Sequence, residues 1–231
     1  ENTPWRFLPM MGPRGGLHYA GRNIINTLHK LCLPGPKRAF RRAAALIAAT
    51  GGMKRQIRSW YGRDSDILCE IGPPPGGAPS VTPRLPGEPL RLCWSGQHQP
   101  GKALPLLLGA LARIPAADLD WRLDILGQGP CTPSWRRQAA RLRVDDRCAW
   151  LGWLPREDAL RRVHDAHLFV ITSLKDLTST VLLEALSQGL PVICPDHCGF
   201  ADVVTDQCGI KIPVHSRPQF ERDMAQAVLR L

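Results

Sequence analysis

The sequence predicts an α/β protein built on a doubly wound parallel sheet, and three observations carry that expectation. From Leu90 onward, short apolar runs alternate with helical stretches of roughly ten to fifteen residues, the pattern of successive βα units. Within them, His167 to Gly199 reads strand, loop, helix, strand, loop. Two parallel strands joined by a helix place the helix N-terminus at the carboxyl edge of the sheet, where open α/β sheets bind ligands. Finally, residues 72–89 hold seven prolines and four glycines. Such density gives extended, semi-rigid chain, so this stretch reads as a linker between a partial α/β unit over 1–71 and a second unit over 90–231.

In the front unit, Trp5 to Gly21 is rich in Gly and Pro and reads as a loop packed against something larger. Asn23 to Cys32 has helical apolar spacing at Ile24, Ile25, Leu28 and Leu31, broken by Pro34-Gly35-Pro36. A basic turn over 37–42, a buried strand over 43–50, a helix over 53–61 and a strand over 66–71 follow. Beyond the linker, strands are expected over 90–95, 121–126, 147–151, 168–172, 191–194 and 209–213. Helices are expected over 102–114, 133–143, 156–164, 180–188 and 217–231. Gly189 stops the helix from Thr180, and Pro191 opens the next strand.

Composition narrows the function classes. No run is long and apolar enough to span a bilayer, which needs about 20 residues. The eight cysteines lie among apolar residues, as buried thiols do, rather than in the frame of a short secreted domain. Cys194, Cys198 and Cys208 with His197 do not have a usual zinc spacing. The net charge of +10 is uneven: residues 1–70 hold twelve Lys/Arg against four Asp/Glu, the remainder eighteen against sixteen. A basic front suits an anionic membrane surface or a lipid-linked phosphate, or is simply a solvated face. Nucleic acid is disfavoured, because the surplus lies outside the alternating unit.

Several residues stand where chemistry happens. Asp176 and Glu184 are two carboxylates eight residues apart, one in the loop and one inside the helix. Asp176, Thr178, Ser179 and Thr180 also read as caps. Gly96-Gln97 and Lys102 follow the first strand of the second unit. Gly127 follows the second strand, where a strand-to-helix turn needing positive φ is the plain reading. For Trp150 and Trp153 the plain reading is packing; His164 and His167, flanking a strand edge, read as structural.

Together these stretches resemble the retaining glycosyltransferases of family four, which have the GT-B fold with Rossmann-like domains. Glu184-Ala185-Leu186, Gly189-Leu190-Pro191-Val192-Ile193 and Gly199 match that family's signature in order and spacing. Asp176 stands where the family has a Glu, Ser179 where a Gly is usual, and Gln97 where an Arg is usual. The resemblance implies a nucleotide-diphospho-sugar donor carrying UDP or GDP. Lys102, with Gly96 and Gln97, would hold the diphosphate. Backbone N–H groups of Ser179, Thr180 and Val181 would receive it as well. Gly127 would form a turn beside the donor, and Trp153 and Leu154 would flank the base. Glu184 would take the ribose hydroxyls and Asp176 those of the sugar; Asp176, Glu184 and Lys102 form the implied catalytic set. No metal or other cofactor is implied. The acceptor would be a saccharide or lipid-linked molecule, met in the cytoplasm or at the inner face of a membrane. Alternatives are a nucleotide-sugar epimerase of the same fold and a non-catalytic nucleotide-binding module. Because the acceptor side begins partway through a domain, these 231 residues alone are expected to bind nucleotide weakly and to transfer nothing.

Overall fold

The computed structural model describes residues 3–72 and 82–230. A 3-10 helix over Trp5–Met11 leads into α1 (Gly12–Cys32), followed by α2 (Pro34–Arg42), β1 (Ile47–Ala48), α3 (Gly51–Tyr61) and β2 (Asp66–Ile67). Then come β3 (Leu90–Ser95), α4 (Leu104–Leu111), β4 (Trp121–Leu126), α5 (Thr132–Arg141), β5 (Cys148–Gly152) and α6 (Arg156–His164). The chain closes with β6 (Leu168–Val170), α7 (Thr180–Ser187), β7 (Val192–Pro195), α8 (Phe200–Val203), β8 (Gly209–Ile212) and α9 (Arg217–Leu229). Residues 73–81, half of the proline-rich stretch, lie outside the described residues.

The sheet order is β5-β4-β3-β6-β7-β8, with every pairing parallel. Chain direction across the sheet therefore reverses between β3 and β6. Such a reversal is where open parallel sheets form a ligand-binding crevice, beyond the carboxyl ends of the two strands. The remaining strands, β1 and β2, form a separate parallel pair.

Successive strand residues feed opposite cores, as the period of two requires. Leu92, Trp94 and Val170 pack under α4, α5 and α9, while Cys93, Phe169 and Ile171 pack under α6 and α7. Helix α4 is apolar on all sides because the sheet lies below it and α9 above; its leucines are all essentially buried. Among the described residues no two cysteines are joined by a disulfide, and burial pushes the Cys194 thiol up to about 12.

Two expectations for the front unit need correction. The stretch from Trp5 to Gly21 is not a loop, since helix runs almost throughout it. Pro13 presets the first helical turn, and burial of Phe7, Met10, Met11 and Tyr19 outweighs the poor helix propensity of Gly15, Gly16 and Gly21. Gly15 is needed for contact: a Cβ there would lie 2.3 Å from Pro100 Cβ. The expected buried strand over 43–50 shrinks to Ile47–Ala48, and Ile47 is exposed. Elsewhere Thr50 caps α3 by accepting from Met53 N–H, and Asp202 Oδ2 accepts from Gly51 N–H at 2.7 Å.

Candidate active site

The crevice between β3 and β6 gathers most of the residues singled out in the sequence. Lys102 ends a short 3-10 turn after β3. A relay holds that turn down: Trp94 Nε1–H donates to Thr172 Oγ1 at 2.9 Å, and Thr172 Oγ1–H donates to the Lys102 carbonyl at 2.7 Å. Leu174 N–H donates to the Gly101 carbonyl at 2.8 Å, tying the loop after β6 to the same turn. The Lys102 Nζ then meets Asp176 Oδ2 at 2.5 Å, both side chains largely shielded from solvent. Tyr19 of α1 lies across this turn, its hydroxyl 2.7 Å from where a Cβ on Gly101 would sit.

Asp176 also accepts from the Leu177 N–H through Oδ1, at 3.2 Å. Helix α7 starts just beyond, with Ser179 at its N-cap and no side-chain cap. Leu182 and Leu183 donate to the Ser179 carbonyl, whereas Thr180 and Val181, at the first two helical positions, have backbone donors with no acceptor inside the helix. Thr178 is turned away to Glu70, its hydroxyl donating to Oε1 at 2.8 Å.

Glu184 lies one turn further along α7 and is buried. Its Oε1 pairs with Arg156 Nη2 at 2.9 Å rather than with Lys102. Burial pushes its carboxyl above the usual carboxylate range, and the Arg156 charge partly offsets this. Arg156 was not singled out from the sequence; the signal available was that a buried glutamate needs a cation.

The turns after β4 and β5 form one rim. Gly127, at φ +100°, donates its N–H to the Gly152 carbonyl at 2.7 Å, and Gly96 N–H donates to the Leu126 carbonyl at 3.2 Å. A Cβ on Gly127 would lie 2.1 Å from the Gly96 carbonyl oxygen. Gly127→Ala is therefore expected to cost about 1–3 kcal/mol and lower the Tm by several degrees; an unchanged melting curve would refute this constraint. Gln97 is exposed and its amide contacts Gln99. Trp153 is 70% exposed and Leu154 half-buried against the α6–α7 core, so Trp153 is not the packed residue its plain reading describes. Trp150 is half-buried, donating to Asp145. His167 is structural: its Nδ1 accepts from Arg91 N–H at 3.1 Å.

Near the crevice, His197 stacks edge-on against Phe7 and is held down to about 4 by burial and by the charges of Lys175, Arg6 and Arg55. Among the described residues no group of three or more His, Cys, Asp or Glu could hold a metal ion. Cavities are lined by other residues. One of about 290 Å³, beside Arg91 and Arg162, lies at the opposite edge of the sheet. One of about 490 Å³ lies between Leu8 and Ala20, and one of about 690 Å³ between the start of α1 and α5 reaches Pro100 and Ala103 beside the Lys102 turn.

An open parallel sheet with a lysine, an acid and a helix N-terminus at its switch point has the architecture in which α/β proteins bind ligands. Residues 89–231 match the family described as glycosyl transferases group 1, and the chain belongs to that family. A lipopolysaccharide 1,6-galactosyltransferase of Escherichia coli is 27% identical over 163 residues, covering 68% of this chain and 45% of the relative. The sulfoquinovosyl transferase SQD2 of Arabidopsis thaliana is 25% identical over 174 residues, covering 70% and 30% respectively. This chain thus spans less than half the length of either. Among solved structures, the lipopolysaccharide outer core galactosyltransferase WaaB in apo form superposes with a TM-score of 0.69 at 23% identity, over 81% of this chain and 52% of that one. A pneumococcal O-GlcNAc transferase, GtfA, in complex with UDP and GlcNAc gives 0.63 at 19%, over 84% and 40%. The fold is that of GT-B glycosyltransferases.

Proposed function

We propose that this chain carries the donor site of a retaining glycosyltransferase that uses a UDP- or GDP-sugar and a saccharide or lipid-linked acceptor. The observation supporting this most is the Lys102–Asp176 pair at the strand reversal, next to the open N-terminus of α7. Lys102 and the first N–H groups of α7 would share the diphosphate, balancing the charge that builds on it as the sugar leaves. Asp176, released from Lys102 as the phosphate arrives, would take the sugar hydroxyls. Gly96 and Gln97 would border the phosphate, Gly127, Trp153 and Leu154 the base, and Glu184 the ribose.

With a lysine and a helix N-terminus opposite the diphosphate, no metal is required in this reading. Titration with UDP, GDP, UDP-glucose and GDP-mannose, with and without EDTA, tests it. Saturable binding of one nucleotide, unchanged by EDTA, is expected. Binding that demands Mn²⁺ or no nucleotide binding at all would overturn the reading. A non-catalytic nucleotide module would bind UDP and UDP-sugar equally, because Asp176 would then have no sugar to hold. In the complete enzyme, the basic helix α2, with exposed Lys37, Arg38, Arg41 and Arg42, suits an anionic membrane face on the cytoplasmic side.

A further inference from the structure

The ion pair between Arg156 and Glu184 is unlike an ordinary surface pair. One partner is buried, with 12% side-chain exposure, and the other is 62% exposed. Surface pairs contribute about 0–1 kcal/mol, but a buried carboxylate that loses its cation is left uncompensated. The partners also come from different βα units. Arg156 is the first residue of α6, directly after the turn that carries Trp153 and Leu154, while Glu184 sits within α7. The pair thus joins the rim assigned to the base to the carboxylate assigned to the ribose.

We propose that Arg156 is the positioning residue for Glu184 in ribose recognition. Its guanidinium holds Oε1 and leaves Oε2 to accept from the two hydroxyls of a vicinal diol. Such a site takes a ribonucleoside diphosphate in preference to its 2′-deoxy counterpart. The inference rests on the donor-site reading above and names the chemical class of nucleotide that the site admits.

Arg156 acts at a distance from the reacting atoms, so its signature is a change in selectivity and pH response rather than rate alone. Burial raises the Glu184 carboxyl and Arg156 lowers it. Arg156, from α6, is the charged group among the described residues whose field acts on Glu184; α7 itself and the neighbouring β7 contribute none. Removing it lets the carboxyl take up a proton at higher pH, and a protonated carboxyl is a poorer acceptor for the diol.

The test is calorimetric titration of UDP and dUDP between pH 5 and pH 8, on the parent chain, Arg156→Ala, Arg156→Lys and Glu184→Gln. The parent is expected to favour UDP. Arg156→Ala should weaken UDP roughly five- to tenfold, shrink the preference over dUDP and shift the acid-side loss of binding to higher pH, through loss of a charge-assisted contact. Arg156→Lys, which keeps the charge, should restore most of the pH response. Melting curves of each variant, with and without UDP, separate these effects from unfolding. If Arg156→Ala behaves as the parent in affinity, selectivity and pH response while Glu184→Gln is weakened, the role of Arg156 is overturned and the donor reading stands. If Glu184→Gln also binds as the parent, the donor reading itself falls.

Discussion

Replacing Lys102 with alanine is expected to weaken UDP binding about tenfold to a hundredfold, and Asp176→Asn is expected to act quite differently. A charge-assisted hydrogen bond to a diphosphate is worth roughly 1.5–3 kcal/mol, and Lys102 is the cation fixed at the reversal between β3 and β6. In the free protein that cation is bonded to Asp176 at 2.5 Å. Breaking this bond is part of the cost of binding phosphate. Asp176→Asn lowers that cost, so UDP itself should bind no worse than to the parent. A nucleotide-sugar, however, loses its carboxylate acceptor and should bind more weakly than UDP does. The two residues are in contact, so their double substitution should be non-additive, with a coupling of about 0.5–3 kcal/mol. Additive losses, or equal losses for UDP and UDP-sugar in Asp176→Asn, would show the pair to be a structural clasp instead.

The second large effect is on stability. Trp94 is 2% exposed at the centre of the sheet, and its indole N–H begins the relay through Thr172 to the Lys102 carbonyl. Trp94→Ala should cost about 3–5 kcal/mol, from lost burial and the cavity left behind. It also orphans the Thr172 hydroxyl as an acceptor, so the bond from Thr172 to the Lys102 carbonyl loses the group that orients it. Trp94→Phe should recover much of the stability but not the relay. Equilibrium urea unfolding with UDP titration of both variants checks this. If Trp94→Phe binds UDP like the parent, the relay does not position Lys102.

The six-stranded sheet was legible in the sequence because strands buried on both faces give continuous apolar runs, and short turns separate them from helices. Residues 168–171 and 192–194 are of this kind. Helix α1 was not legible at its start. Four glycines and two prolines from Pro9 to Gly21 read as loop, and only packing against the Pro100 turn and the buried Met10–Met11 pair makes helix the better choice. The site divides in the same way. Lys102 and Asp176 could be noticed singly, but their contact depends on β3 and β6 being neighbours, which no local spacing states. Arg156 carries no motif at all. Its significance arises only when α6 and α7 pack on one face and a buried glutamate needs a cation.

A structure of this chain grown with UDP tests the central claim most directly. The diphosphate is predicted within hydrogen-bonding reach of Lys102 Nζ and the N–H groups of Thr180 and Val181, with the ribose on Glu184 and the base along the turn that carries Trp153. UDP seated instead in the cavity of about 690 Å³ between the start of α1 and α5, beside Arg14 and Arg141, would contradict it.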